Sequence, residues 1–428
     1  MDIRIIPNFK MDTEMISLIQ KEQERQRCQL RLIPSENYAS REVLSAVGSV
    51  LMNKYSEGQA FRRYYQGNFI IDQIEALVKK RALKAFGLDS DKWGVNVQAV
   101  AGSIANLAVY LGLLKPGDKL LSLYLYEGGH LSHGWRLPSG KAVSFTAAFF
   151  QTSYYHVDLQ TQLLDYEAVE KRALEERPAM IITGGTSYPR EIDYGKMRRI
   201  ADEVGALYLA DIAHEAGLVA AGVNQSPFPY AHVVTMTTRK TLRGPVGALI
   251  FARREFIDRI NQAVFPGLQG GPQNHSIAGI GVALHEAMRP EFKEYAVGVV
   301  ANAQKLAKGL MSKGYEIVSG GTDKHLMVVD LRNKGIGGKE AALALEKANI
   351  IVNKQAVPGE TSRFWAPSGI RLGTPALTSR GMREKEMEQV ALFIDEALRN
   401  YQNVAVLRRI GREVRDFAFQ FPAPGISG

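Results

Sequence analysis

HVVTMTTRKTLRGPVGALI, residues 232–250, is the stretch around which the rest of the chain makes chemical sense. Val233, Val234, Thr235 and Met236 read as a short buried strand, and the run from Ala248 to Phe251 as another. Between them stand Thr237, Thr238, Arg239 and Lys240, then Gly244, Pro245 and Gly247. A lysine just past a strand end, beside hydroxyls and a Gly/Pro turn, is placed to form a Schiff base with an aldehyde cofactor. A solvated lysine in a basic loop is the commoner meaning of Thr-Arg-Lys, so the rest of the chain has to decide.

With 428 residues, two or three domains and a core able to bury a large sheet are expected. The 46% hydrophobic and 23% charged fractions are ordinary for a globular enzyme. The formal charge is 53 − 44 = +9. The basic residues are scattered, so an anionic cofactor or substrate accounts for the charge as well as nucleic acid does. Cys28 is the only cysteine, which excludes an intrachain disulfide and argues against a thiolate metal site. No run approaches the ~18 apolar residues of a membrane span, and MDIRIIPNFKMD lacks a signal-peptide pattern. A cytoplasmic enzyme without metal is the expectation.

In chain order, residues 11–31 read as an amphipathic helix carrying Met15, Ile16, Leu18 and Ile19, and Pro34 marks extended backbone before Ser35. Residues 54–67 pack Tyr55, Glu57, Arg62, Arg63, Tyr64 and Tyr65 between glycines. Such clusters are more often interface than catalyst. A helix is expected over 69–86 and another from Gly102-Ser103 to Leu114, whose N-terminal N–H groups and hydroxyl make a phosphate seat. A strand over 119–125 leads into Gly128-Gly129-His130-Leu131-Ser132-His133, where paired glycines suit close approach to a flat ring. Strands over 179–183 and 206–210 alternate with a helix over 194–204, the pattern of an open parallel α/β sheet. That pattern carries Asp211 and His214 to the edge reached by Lys240, where such sheets bind ligands. Helices over 275–288 and 295–312 precede strands over 326–331 and 350–352, and helices over 384–399 and 401–417 close the chain. Arg371, flanked by glycines, offers a two-pronged grip on a carboxylate.

A lysine for an aldehyde, a helix start for a phosphate, a carboxylate for a protonated pyridine nitrogen and an imidazole to lie on a ring together describe pyridoxal 5'-phosphate.

At this point NKYSEG, RRYYQGN, GGHLSHG, ADIAHEAGLVAAG, TTRKTLRGP, FPGLQGGP, SGGTDKHL and SGIRLGTPALTSRG, in this order, resemble the serine hydroxymethyltransferase family. The resemblance implies a fold type I (aspartate aminotransferase-like) architecture with a mostly parallel central sheet. It divides the chain into an N-terminal helical arm (1–50), a large cofactor domain (51–290) and a smaller α+β domain (291–428). Position by position it implies that Lys240 holds the cofactor, Asp211 pairs with the pyridine nitrogen and His130 stacks on the ring. His214 and Thr186 lie near the phenolic oxygen, and Gly102 and Ser103 bind phosphate with Gly270 and Gly271 of a second subunit. Arg371 and Ser35 hold the substrate carboxylate. Glu57, with Tyr55 and Tyr65 beside it, is the acid–base group, also from the partner. A homodimer with shared active sites is implied, with tetramers left open.

The chain also departs from the family pattern. Arg239 stands in place of a His, Ala101 of a phosphate-binding Ser, Val246 of an Arg, Gln59-Ala60-Phe61 of Tyr-Pro-Gly, and Gln355 of an Asn that contacts folate. Arg239 and Gln355 are therefore counted with the substrate-binding residues. The expected function is cleavage or formation of the Cα–Cβ bond of β-hydroxy-α-amino acids, with tetrahydrofolate as co-substrate. A folate-independent aldolase or threonine-type transaldolase, or other chemistry on the same cofactor, stays open. A nucleic-acid-binding descendant without catalysis is disfavoured by the retention of Lys240, Asp211, His130, Glu57 and Arg371.

Overall fold

The computed structural model describes residues 12–137, 139–362 and 365–426. Its centre is a seven-stranded sheet built from β1 (Trp93–Asn96), β2 (Lys119–Leu123), β3 (Gln151–Tyr155), β4 (Met180–Gly184), β5 (Leu207–Asp211), β6 (Val233–Thr237) and β7 (Ala248–Arg253). The order is β1-β7-β6-β5-β4-β2-β3. Strands β3, β2, β4, β5 and β6 pair in parallel, and β7 runs antiparallel between β6 and β1. The mostly parallel α/β architecture expected from the alternating pattern is thus present.

Successive side chains of a strand point to opposite faces, and here both faces are covered. On one side Ile181, Ala210, Val234, Leu249 and Phe251 enter a core with helix residues such as Val78 and Ile280. On the other, Ile182, Leu209, Val233, Ala248 and Ile250 pack with Ala105, Val109 and Ile260. This two-sided burial is why these strands read as nearly unbroken apolar runs. Each of the larger aliphatic and aromatic side chains contributes about 1.5–3 kcal/mol by leaving water, so the strand ends are rigid mounts for the loops that leave them.

A second core surrounds a four-stranded sheet of β8 (Glu316–Ile317), β9 (Leu326–Asp330), β10 (Asn353–Gln355) and β11 (Gly369–Gly373), in the order β8-β9-β11-β10. The helix Pro290–Met311 serves both cores, giving Tyr295 and Val299 to the first and Ala303, Leu306 and Leu310 to the second. It starts earlier than the apolar spacing suggested, because Pro290 fits the first turn of a helix, where its missing N–H is no loss. Leu30 and Leu32, next to the N-terminal helix, also belong to the second core, where Leu30–Arg31 pairs with Ile350–Ile351.

The N-terminal helix is α1 (Thr13–Cys28), capped by the Asp12 carboxylate, which accepts from Met15 N at 2.9 Å. Its apolar face is not buried within the chain: Met15, Leu18 and Ile19 are all exposed. The last helix, Val404–Phe419, begins later than expected because the Asn403 side chain accepts from Val406 N and caps it there. Among the described residues, no helix is long and apolar enough to cross a membrane.

Candidate active site

The C-terminal ends of β4, β5 and β6 and the loop after β2 meet at one edge of the sheet. The meeting is close: a Cβ on Gly184 would lie 1.8 Å from the Asp211 carbonyl oxygen, and one on Gly185 1.9 Å from that of Gly128. Gly184 also has φ +102, a conformation glycine adopts without strain. Gly128 and Gly129 serve the same backbone packing. A Cβ on Gly129 would strike the Leu123 carbonyl oxygen at 2.1 Å, and one on Gly128 the Tyr188 nitrogen at 2.7 Å. Chain-on-chain contact therefore requires glycine at both positions.

Asp211 closes β5. Its Oδ1 accepts from Ala213 N at 2.9 Å, and its Oδ2 from Asn106 Nδ2 at 2.8 Å and His133 Nε2 at 3.1 Å. Burial opposes ionisation, but the hydrogen bonds and nearby imidazoles outweigh it and hold the carboxyl well below the ordinary carboxylate range. Sequence reading singled out neither Asn106 nor His133 for this role. The His-x-x-His spacing was visible, but only the fold aims His133 at Asp211.

Lys240 follows β6 and is buried, and its amine makes no hydrogen bond or ion pair among the described residues. Burial pushes the ammonium down to about 7, with Arg371 and Arg239 acting in the same direction and Asp211 against them. A substantial share of neutral amine near neutral pH is what attack on an aldehyde requires. Thr241 braces the turn: its hydroxyl donates to the His214 carbonyl at 2.9 Å and accepts from Gly217 N at 3.0 Å. Arg239 points outward, exposed and without a partner among the described residues.

His130, Thr186, His214 and Arg371 gather around this pair. His130 Nδ1 lies 2.7 Å from Ser132 Oγ, and Thr186 Oγ1 donates to the Gly129 carbonyl at 2.9 Å. His214 stacks on His325, with ring centroids 5.3 Å apart and Nδ1 3.1 Å from Nε2. Burial and the surrounding cations hold both rings well below the usual imidazole range. Arg371, on β11, donates from Nε to Asn353 Oδ1 at 3.0 Å and from Nη1 to the Thr186 carbonyl. Its Nη2 has no protein partner among the described residues. Burial lowers the guanidinium to about 10, so it stays charged at neutral pH. Ser35 sits beside the end of the same strand, since Gly373 N donates to the Leu32 carbonyl and Gly373 packs on Pro34. Gln355, on β10, pairs with Gly369 of β11 and stands two residues from the Asn353 that touches Arg371.

The helix Gly102–Leu113 begins as expected, and its N-cap Ala101 supplies no side-chain hydrogen bond, so the first N–H groups point out unclaimed. The Thr237 Cγ2 lies 3.0 Å from where a Gly102 Cβ would be, and the Thr237 hydroxyl is buried with no hydrogen-bond partner among the described residues. A buried donor without an acceptor beside an uncapped helix start fits a phosphate. With a near-neutral lysine and a buried carboxylate opposite, the donor set fits pyridoxal phosphate. Thr237 was within the opening stretch but not singled out.

Tyr55, Glu57, Tyr65, Gly270 and Gly271 form a separate group. Tyr55 and Tyr65 meet edge to face with centroids 5.4 Å apart, and the Glu57 carboxylate beside Tyr65 pushes its phenol up. A Cβ on Gly270 would lie 3.2 Å from Glu57 Oε1, and one on Gly271 3.1 Å from the Tyr55 ring. Arg63 anchors this loop, donating to the Ser56 and Gly58 carbonyls and pairing with buried Asp72 and Glu75 at 2.8 and 2.6 Å. The group shares no hydrogen bond or ion pair with Lys240 or Asp211 among the described residues. It stands on an exposed ledge with Phe61, Tyr64 and Phe69.

Comparison with known proteins agrees with this geometry. A family model described as serine hydroxymethyltransferase matches residues 9–394. The chain is 51% identical over 414 residues to the serine hydroxymethyltransferase of Methanosarcina barkeri, covering 96% of this chain and 98% of that protein. It is 49% identical over 417 residues to that of Desulfotalea psychrophila, covering 97% and 96%. With the cytosolic serine hydroxymethyltransferase of Oryctolagus cuniculus the identity is 47% over 456 residues, covering 97% and 94%. The chain belongs to the serine hydroxymethyltransferase family.

Proposed function

We propose that the chain works as a homodimer whose active sites each combine the inner group of one subunit with the exposed ledge of the other. As a family member it is a pyridoxal-phosphate enzyme with tetrahydrofolate as co-substrate, interconverting serine and glycine. The observation that supports the shared site is the separation of the two groups. Residues suited to the cofactor and residues suited to a substrate hydroxyl occur in one chain without touching, and the second set lies on an apolar surface of the kind found at interfaces.

In this reading Lys240 carries the cofactor, Asp211 accepts from its ring nitrogen, and His130 lies on the ring. His214 and Thr186 face the phenolic oxygen. Gly102 and Ser103, with the partner's Gly270 and Gly271, hold the phosphate. The bound cofactor supplies an electron sink for the pair left at the substrate Cα when the Cα–Cβ bond breaks. Arg371 orients the substrate by its α-carboxylate, using the free Nη2, and Ser35 adds a hydroxyl. The partner's Glu57 moves the proton of the substrate hydroxyl, with Tyr55 and Tyr65 excluding water around it. The hydroxymethyl carbon passes to tetrahydrofolate, near which Gln355 lies, while Arg239 occupies the rim. A cytoplasmic setting goes with this reading, as one relative is named cytosolic.

The test is direct. Protein loaded with pyridoxal phosphate should absorb in the visible and form glycine from serine with tetrahydrofolate, and Lys240→Ala should lose both. A colourless protein with full turnover would overturn the assignment.

A further inference from the structure

Between Asp211 and His130 runs a chain of side chains whose donor and acceptor roles are set by chemistry alone. The ionised Asp211 can only accept, so Asn106 must turn its NH2 group to Oδ2, 2.8 Å away. That orientation also suits the other end, where the Asn106 carbonyl oxygen accepts from the Thr235 hydroxyl at 2.7 Å. The second Asn106 N–H then donates to Ser132 Oγ at 2.9 Å. That leaves the Ser132 hydroxyl hydrogen free to donate, and its near acceptor is His130 Nδ1 at 2.7 Å. The Ser132 backbone N–H donates to the same nitrogen at 3.1 Å. Two donors aimed at Nδ1 leave no room for a proton there, so the ring hydrogen sits on Nε2.

We propose that Asn106 and Ser132 are positioning residues that relay the charge of Asp211 to His130 and lock its ring as the neutral Nε2–H tautomer. His130 is then a hydrogen-bond donor towards the bound ligands and not the base of the reaction. The inference rests on the proposed reading for the place of His130 beside the cofactor. It sharpens that reading by leaving proton transfer at the substrate hydroxyl to Glu57.

The surroundings act in the same direction. Burial pushes His130 down to about 4, with His133, Lys240 and Arg371 also opposing a charged ring and Asp211 favouring one. A ring held neutral by burial and held in one tautomer by Ser132 has no titration to contribute in the working range of an enzyme.

The experiment is nitrogen NMR of histidine-labelled protein, both cofactor-free and cofactor-loaded, with His130 identified by its loss in His130→Asn. The expected spectrum shows a bare Nδ1 and a protonated Nε2 from about pH 5.5 to 8.5, since an ordinary histidine would titrate across that span. Ser132→Thr keeps the hydroxyl and should keep this spectrum. Ser132→Ala should introduce the Nδ1–H form, raise the ring's titration point and lower kcat about tenfold, the worth of one hydrogen bond, with KM little changed. A charged or Nδ1–H ring in the unaltered protein, or a Ser132→Ala ring identical to it, overturns the proposal. The cofactor-free measurement separates the two readings. A locked ring in a protein that takes up no cofactor sinks the functional assignment alone, whereas a coloured, active protein with an Nδ1–H ring sinks the lock alone.

Discussion

Lys324 Nζ lies 2.5 Å from Glu215 Oε2, with both side chains almost fully buried, and the pair joins a residue just before β9 to one just after β5. Tyr194 adds a hydrogen bond to Glu215 Oε1 at 3.0 Å. The ion pair flanks the stacked His214 and His325 and ties the second core to the first directly beneath the site.

Removing one member leaves the other charged and buried. Lys324→Met or Glu215→Gln should each destabilise the fold by about 3–5 kcal/mol, whereas replacing both by apolar residues should cost much less. Denaturant unfolding of the two single variants and the double variant checks this. A double-variant loss equal to the sum of the two single losses would show that the pair is not coupled.

The lowered Lys240 predicts how the cofactor-free protein takes up pyridoxal phosphate. The free amine is the reactive form, so the uptake rate should climb as pH rises through about 7 and level off above it, not near 10. Arg239→Gln removes one of the cations that depress Lys240, so its midpoint should move upward. Stopped-flow absorbance across pH reads both.

A shared site makes a quantitative prediction for hybrids. Lys240→Ala and Glu57→Gln protein should each be inactive, but after mixing and refolding half of the dimers are heterodimers. In these one site carries both lesions and the other none, so activity should recover to about a quarter of the unaltered level, by the symmetry of the dimer. If Lys240 and Glu57 served the same site from one chain, mixing would restore nothing.

Acid should destabilise the cofactor-free protein before its carboxylates titrate. His130, His214 and His325 have depressed folded-state values, His130 to about 4. Below the unfolded imidazole value of about 6.5 the unfolded chain binds protons that the folded chain refuses, so each ring removes about 1.4 kcal/mol per pH unit as pH falls. Stability measured from pH 7 to 5 should therefore drop, and His325→Gln should flatten the slope. A profile without slope in that window contradicts neutral burial of these rings.

The central strands were legible because burial on both faces makes their sequences nearly continuous apolar runs, as at 180–184 and 233–237. The edge strand Gln151–Tyr155 was not, since past an exposed Gln151 it alternates half-buried and buried positions and mixes Gln, Thr and Ser with its tyrosines. Lys240, Asp211 and Arg371 were found from strand ends and glycine neighbours. Asn106, Ser132, His133, Thr237 and the Glu215–Lys324 pair were not, because each gains its meaning from a partner far away in sequence. Asn106 sits mid-helix and reaches Asp211 across 105 positions of chain. Helix ends moved by a few residues where Asn403 or Pro290 overrode apolar spacing.

The nested glycines of the sheet edge carry a consequence for how this enzyme can change. Where Gly184, Gly185 and Gly129 bring main chain onto main chain, the floor of the site has no side chains to exchange, and a single methyl group would part its layers. Substitution is less constrained at the rim, where Arg239 stands exposed and Gln355 is half-buried. New substrates can be tried there by point substitution while the machinery below stays geometrically constant.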